Sequence, residues 1–239
     1  MKDETAKKFN EVNRRTYDTI AEQFSSTRSL PWSEFRDIVP YVNDGDALLD
    51  AGCGNGRLLD VLRDKKINYT GIDFSKALIA IAKKQHPDRT FVISDITTLP
   101  FPEEKFNIIF CIATLHHLAG QTLRRKALAE MRRVCKKDGY LVLLNWNLWT
   151  PRWWPAHIRI LLKKIVKQIP IDFGSIWKLW KDGQGRIVDK RYIHGFWPGE
   201  LRTLLAQNGF TVEKQYYTIK GQPAHWYSGF NLITIARKS

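Results

Sequence analysis

Residues 50–56 read Asp-Ala-Gly-Cys-Gly-Asn-Gly, directly after the apolar run Ala47-Leu48-Leu49 and directly before the amphipathic run RLLDVL. The pattern predicts a strand, a tight turn and a helix. Glycine at Gly52, Gly54 and Gly56 lets the main chain bend sharply and lets a ligand approach it closely. The spacing is G-x-G-x-G, not the G-x-G-x-x-G of a pyrophosphate cradle, and Asp50 stands two residues before the first glycine. A carboxylate there repels a pyrophosphate and suits a cationic ligand carrying an amino group. Two more acids follow at matching places: Asp73 closes YTGID and Asp95 closes TFVISD. They lie 23 and 22 residues on, each about one strand-helix unit further. Asp73 suits the two hydroxyls of a ribose and Asp95 suits an exocyclic adenine amine.

Outward from this loop the chain alternates short apolar runs with amphipathic ones: YTGID, KALIAIAKK, TFVISD, NIIFCIATL, TLRRKALAEMRRVC, YLVLLNW. That rhythm implies strand-helix-strand crossovers and a parallel sheet, and near-continuous apolar strands imply that both faces are covered. Residues 1–45 read as a polar helical cap broken at Pro31 and Pro40, 46–148 as the ligand-binding core, and 149–195 as an inserted lid. In 196–239 a helix near Gly199–Asn208 is stopped by Gly209. FTVEKQYYTI and a last strand near Phe230–Ala236 then form a hairpin expected to give the sheet an antiparallel edge. The expectation is one α/β domain, doubly wound and mostly parallel.

The 239 residues are 44% apolar and 26% charged, which excludes disordered and disulfide-scaffold classes. Cys53, Cys111 and Cys135 are too scattered for a disulfide framework or a zinc cluster, so no metal is expected. Together with an opening MKDETAKKF that lacks a signal-peptide pattern, they point to a cytoplasmic protein. No apolar run approaches the roughly 20 residues that span a bilayer. A net charge of +14 favours an anionic partner, nucleic acid or a membrane surface.

The glycine loop with its three strand-end acids resembles the class I S-adenosylmethionine-dependent methyltransferases over residues 45–145. That resemblance implies a Rossmann-like, seven-stranded sheet and S-adenosyl-L-methionine as cofactor. It assigns cofactor contacts to Asp50, Gly52, Cys53, Gly54, Asn55, Gly56, Asp73, Phe74, Asp95, Ile96 and Ala113. Cys53 lies close to the cofactor but reads first as a small buried side chain and receives no chemistry. A narrower similarity lies in YDTIAEQFSSTRSLPW (Tyr17–Trp32), IATLHHL, LLNWNL and RYIHGFWPGEL. These stretches resemble the tRNA wobble-uridine carboxymethyl methyltransferases, which implies esterification of a carboxymethyl group on tRNA, with a small activating subunit as a further candidate partner. The aspartate-arginine pair usual after the second strand in that family reads Asp73-Phe74 here.

A carboxylate is already ionised at pH 7, so such an acceptor needs positioning and no general base. Arg28 offers a planar fork for it. His116 and Trp146 stand at the ends of the fourth and fifth strands and face the expected crevice, while Arg191 and His194 follow the insertion and close over the same mouth. Each has a structural alternative. Arg28 can pair with a cap acid, one of the neighbours His116 and His117 is a packing residue, Trp146 can be core, and Arg191 and His194 can be a solvated strand residue and a satisfied histidine.

Arg152–Pro170 places Ile158, Leu161, Leu162, Ile165 and Ile169 at helical spacing among Arg159, Lys163, Lys164 and Lys167. Such a helix serves as a lid packed on the core, as a tRNA contact or as a contact with a membrane surface. The competing reading is a methyltransferase for a small, quinone-type substrate, whose phenol or carbon acid needs a histidine base. A non-catalytic RNA-binding protein on the same fold is disfavoured by the intact loop and acids.

Overall fold

The structure is a computed structural model describing residues 1–27, 32–166 and 170–239. The polar N-terminal stretch folds as α1 (Asp3–Thr19), α2 (Ala21–Ser26) and α3 (Phe35–Ile38), with Pro40 inside a short 3-10 turn, Val39–Tyr41. Proline is accommodated there because the first backbone groups of a helix lack internal partners. Five parallel strands follow: β1 (Ala47–Ala51), β2 (Asn68–Asp73), β3 (Thr90–Ile93), β4 (Phe106–Ile112) and β5 (Cys135–Trp146). The helices α4 (Lys76–Gln85) and α5 (Gln121–Val134) make two of the crossovers. The expected helix after the glycine loop is a 3-10 turn over Arg57–Val61, closed by Leu59 N–H to Gly56 O at 3.0 Å and Leu62 N–H to Leu59 O at 3.1 Å. The piece is too short for a run of i to i+4 bonds.

Alternate residues of each strand serve opposite faces. Leu49, Ile109, Leu141 and Leu143 pack with Leu128 and Met131 of α5 on one side. Leu48, Ile108, Phe110 and Val142 pack with Phe35, Ile38, Leu58 and Ile79 on the other. Truncating any one of these to alanine costs about 2–5 kcal/mol, because the surroundings collapse only partly.

The insertion contains α6 (Trp154–Ile165) and an antiparallel hairpin, β6 (Ser175–Lys181) with β7 (Ile187–His194). After α7 (Pro198–Gln207), Gly209 turns the chain at φ +69° into β8 (Phe210–Ile219), β9 (Gln222–Ala224) and β10 (Asn231–Lys238). The sheet order is β3-β2-β1-β4-β5-β10-β8-β9. The C-terminal strands give the sheet the antiparallel edge expected from the sequence, and the last strand, β10, lies inside that edge, between β5 and β8. The reason is its composition: Asn231 to Ala236 is buried on both faces, whereas β8 alternates toward solvent. The short β9 takes the edge and raises the strand count from seven to eight.

Helix α6 packs on the core, but not by the apolar row expected from the sequence. Ala156 and Ile160 pack inward, and His157 stacks on Trp149 at 5.0 Å. The apolar row Ile158, Leu161, Leu162 and Ile165 faces solvent. The helix has two apolar rows, and the one with the smaller side chains allows the closer approach to the core. Ile169 and Lys167 lie outside the described residues.

The cap is stitched to the insertion by α1. The Asn13 amide donates to the carbonyls of His117 (2.9 Å) and Tyr192 (3.0 Å) and accepts from Tyr192 N–H (2.7 Å). Thr16 Oγ1 donates to Asp189 Oδ2 at 2.7 Å. These bonds hold α1 across β7 and roof the carboxyl ends of β1, β2 and β4.

Candidate active site

Under that roof lies a pocket of about 1080 Å³ of empty space, partly open to solvent. Its floor is the glycine loop. Gly52 sits at φ +88°, and a Cβ there would stand 2.1 Å from Thr114 Oγ1, so only glycine fits. Gly54 (φ +57°) turns its N–H onto Asp73 Oδ2 at 3.0 Å. Ala113, at the end of β4, also holds a left-handed φ of +52°, a strained conformation of the kind that collects at functional sites.

Asp50, Gly52, Cys53, Gly54, Asn55, Asp73, Phe74, Asp95, Ile96 and Ala113 all line this pocket. Gly56 does not: its φ of +82° closes the loop, and its α-carbon backs onto His86 and Phe91. Asp73 Oδ1 accepts from Ser75 N–H at 2.9 Å, and burial pushes the carboxyl up to about 6. Asp50 accepts from the Tyr69 hydroxyl at 2.9 Å, and burial pushes it up to about 7, with the neighbouring Asp73 adding to the shift. Asp95 is exposed at the rim, where its Oδ1 takes Thr97 N–H at 2.7 Å. Burial raises the Cys53 thiol well above its ordinary value, which removes it as a nucleophile. Asp50 thus offers a buried carboxylate to a cationic group, and Asp73 an acceptor to hydroxyls.

Tyr17, His117, Trp146 and Arg191 line the same pocket, with Tyr17 edge-on to Phe74 at 6.0 Å. Arg191 Nη1–H donates to the Tyr17 hydroxyl at 2.9 Å, and that hydroxyl donates to His117 Nε2 at 2.8 Å. His117 Nδ1–H donates to the Tyr192 carbonyl at 3.1 Å, which fixes the tautomer, since a carbonyl only accepts. Burial, followed by the Arg191 charge, pushes His117 down to about 3, so the ring is neutral. The Arg191 guanidinium is buried between Trp180 (4.7 Å) and Trp146 (5.5 Å). Its Nε has no hydrogen-bond partner, and among the described residues no carboxylate pairs with it.

Two residues expected here lie elsewhere. His116 is turned away: Leu115–His117 is a 3-10 turn, whose neighbouring side chains point about 120° apart. His117 therefore takes the pocket, and His116 Nδ1 accepts Trp146 N–H at 3.3 Å. His194 is three residues from Arg191 on β7, hence on the other face. It bonds Ser175 Oγ (2.8 Å) and Glu200 Oε1 (2.9 Å) and joins β7 to α7. Arg28 lies outside the described residues. Sequence reasoning missed Asn10, Asn13 and Tyr17, although their i, i+3, i+7 spacing marks one face of α1.

Comparison with known proteins identifies the chain. A family of methyltransferase domains matches residues 49–143. The tRNA (carboxymethyluridine(34)-5-O)-methyltransferase of Schizosaccharomyces pombe is 32% identical over 223 residues, covering 87% of this chain and 92% of that protein. The chain belongs to this methyltransferase family. The Arabidopsis thaliana protein of the same name is 36% identical over 132 residues, which cover 55% of the methyltransferase described here and 32% of the plant protein. The chain thus spans about a third of that relative's length. A Haloferax volcanii methyltransferase, solved in complex with the Trm112 methyltransferase activator, shares the fold at TM-score 0.66 and 18% identity, over 93% of this chain and 97% of that one.

The methyltransferase pocket fits S-adenosylmethionine. The glycine loop gives main-chain access, and the Asn55 Oδ1, buried without a hydrogen-bond partner, is an acceptor available to an ammonium group. Asp73 would hold the ribose, Asp95 and Ile96 the adenine edge and face, and Asp50 the cationic amino-acid end.

Proposed function

We propose that the protein esterifies the carboxylate of a carboxymethyl group on the wobble uridine of tRNA. The observation that carries this reading is Arg191, a buried guanidinium without a carboxylate partner among the described residues, in the lining of the same pocket as the acids. The pocket thus offers carboxylates for a cation and a guanidinium for an anion, as expected for a cationic methyl donor and a carboxylate acceptor.

When bound, S-adenosylmethionine supplies an electrophilic methyl group. Arg191 takes one carboxylate oxygen and leaves the other to face that methyl. Tyr17 braces the guanidinium from its Nη1 side, and His117 holds the Tyr17 hydroxyl in place. Trp146 and Trp180 pack against the cation and keep water off it, which strengthens its pull on an anion. His117 has no free lone pair: Nδ1 carries its proton to Tyr192, and Nε2 accepts from Tyr17. These residues therefore offer no base for a phenol or carbon acid, which counts against the quinone-type substrate.

The charge of +14 supports an RNA backbone as the carrier of the substrate. The haloarchaeal complex supports a small activating subunit as a partner. Three buried, free cysteines support a cytoplasmic location. One observation favours a second contact, with an anionic membrane surface. The α6 row Ile158, Leu161, Leu162 and Ile165 is exposed beside Arg159, Lys163 and Lys164, although among the described residues no helix is long and apolar enough to cross a membrane.

The test is methyl transfer from S-adenosylmethionine to tRNA bearing carboxymethyluridine, read by nucleoside mass spectrometry, with a lipid extract as the competing substrate. The methyl ester on the wobble nucleoside is the expected product. Arg191→Met should abolish it and leave cofactor affinity intact. Methylation of the lipid fraction alone overturns the reading.

A further inference from the structure

Beside the pocket lies a group of rings that the fold does not bury. Trp226, Tyr227 and Phe230, in the loop between β9 and β10, are 42%, 51% and 41% exposed. The loop is held firmly from below. Buried Asn147, immediately after β5, donates its side-chain amide to the carbonyls of Trp226 (2.6 Å) and Gly229 (2.9 Å), and its backbone N–H to Phe230 O (2.8 Å). Within the loop, His225 O accepts from the N–H groups of Ser228 (3.1 Å) and Gly229 (2.7 Å). Gly229 is required by close approach, since a Cβ would stand 2.7 Å from Tyr217 Cβ. Three large rings are therefore displayed on a braced backbone.

The arrangement is continuous with the pocket. Phe230 lies 6.1 Å from Trp146, which lines the pocket, and Lys178 Nζ stands 4.5 Å over the Trp146 ring. From Phe230 the display continues to Trp226 and Tyr227, and Tyr227 and His225 are parallel at 6° and 5.3 Å. Exposed flat rings, a lysine beside them at Trp146 and a strongly basic chain match unpaired nucleobases on a phosphate backbone. A nucleotide drawn into a pocket leaves its neighbours without stacking partners, and exposed aromatic faces beside that pocket replace them.

We propose that the 225–230 loop is a stacking platform for the unpaired nucleobases flanking the nucleotide held in the pocket. This rests on the reading that the substrate is the wobble uridine of tRNA. The platform supplies binding to the RNA around the target, while Arg191 handles the reacting carboxylate.

The experiment compares wild type with the Trp226→Ala/Tyr227→Ala double variant on two substrates. One is a synthetic anticodon stem-loop with carboxymethyluridine at the wobble position and 2-aminopurine at a flanking loop position; the other is free carboxymethyluridine nucleoside at high concentration. The expected result is a KM for the stem-loop raised about tenfold or more at unchanged kcat, with an unchanged rate on the free nucleoside. Wild type should also quench the 2-aminopurine fluorescence and the double variant should not. Trp226→Phe/Tyr227→Phe, which keeps the rings, should restore most of the affinity. Wild-type KM and quenching in the alanine variant overturn the platform while the wobble reading stands. If wild type methylates the nucleoside but never the stem-loop, the RNA reading itself fails and the platform falls with it.

Discussion

The affinity for S-adenosylmethionine should rise steeply with pH between 5 and 8. In the ligand-free protein Asp50 sits at about 7 and Asp73 at about 6, both raised by burial. An ordinary carboxyl titrates near 3.9. The ammonium group on Asp50 and the ribose hydroxyls on Asp73 both need an ionised carboxylate, so below each pKa binding must first expel a proton. At pH 5 about one Asp50 in a hundred is ionised and about one Asp73 in ten, so the two together weaken binding by roughly a hundred- to a thousandfold relative to pH 8. That is about 3–4 kcal/mol. Stability moves the other way. Both values are raised on folding, so the stability tied to these groups is complete below about pH 4 and is lost as pH rises through about 6 and 7. The ligand-free protein should weaken over the window in which the ligand gains grip, so the cofactor-induced rise in Tm should grow with pH. Isothermal titration at pH 6 in two buffers of different protonation enthalpy should show proton release on binding. Asp50→Asn should flatten most of the slope and lower the plateau at pH 8. Affinity that is level from pH 5.5 to 8, with no proton release, would refute the assignment of Asp50 and Asp73 to the cofactor.

Gly52→Ala should cost about 2–4 kcal/mol and eliminate cofactor binding, because the Cβ meets Thr114 Oγ1 at a positive φ; Thr114→Gly in the same chain should recover part of the stability, read as a Tm shift. His117 should show the Nδ1–H tautomer by 15N NMR at every pH from 5 to 8, since its pKa is pushed down to about 3; a ring that titrates in this range would break the Arg191-Tyr17-His117 chain as described. On α6, Leu162→Asp should change stability by less than about 0.5 kcal/mol, whereas Ile160→Asp, on the packed row, should cost about 2–3 kcal/mol in denaturant unfolding.

The two residue sets of the pocket, the acids and the group around Arg191, were unequally legible in the sequence, and the difference is one of chain separation. Asp50, Asp73 and Asp95 each close or follow a strand of the same sheet, so a repeat of about one strand-helix unit carries them to the same edge. The glycine spacing adds a local signal because Gly52 and Gly54 must take positive φ. The group around Arg191 has no such repeat. Tyr17 and Arg191 are 174 residues apart and Tyr17 and His117 are 100 apart, joined only when α1 lies across β7. Adjacent histidines cannot be told apart by composition; the 3-10 turn decides that His117 enters and His116 does not. The same holds for α6, where helical spacing gave the apolar row but not the side the core would take. A buried guanidinium held by a phenol and aromatic faces, with no carboxylate partner among the described residues, is costly to the protein alone. Its persistence is rational if an anionic partner arrives with the substrate, and α1 provides the brace that holds it ready. Asn13→Ala, which cuts three bonds between α1 and its supports, should therefore raise KM for the carboxymethyl substrate more than it weakens the cofactor, measured by steady-state kinetics beside calorimetry. An equal loss of both would mean that α1 braces the whole pocket and not the Arg191 group alone.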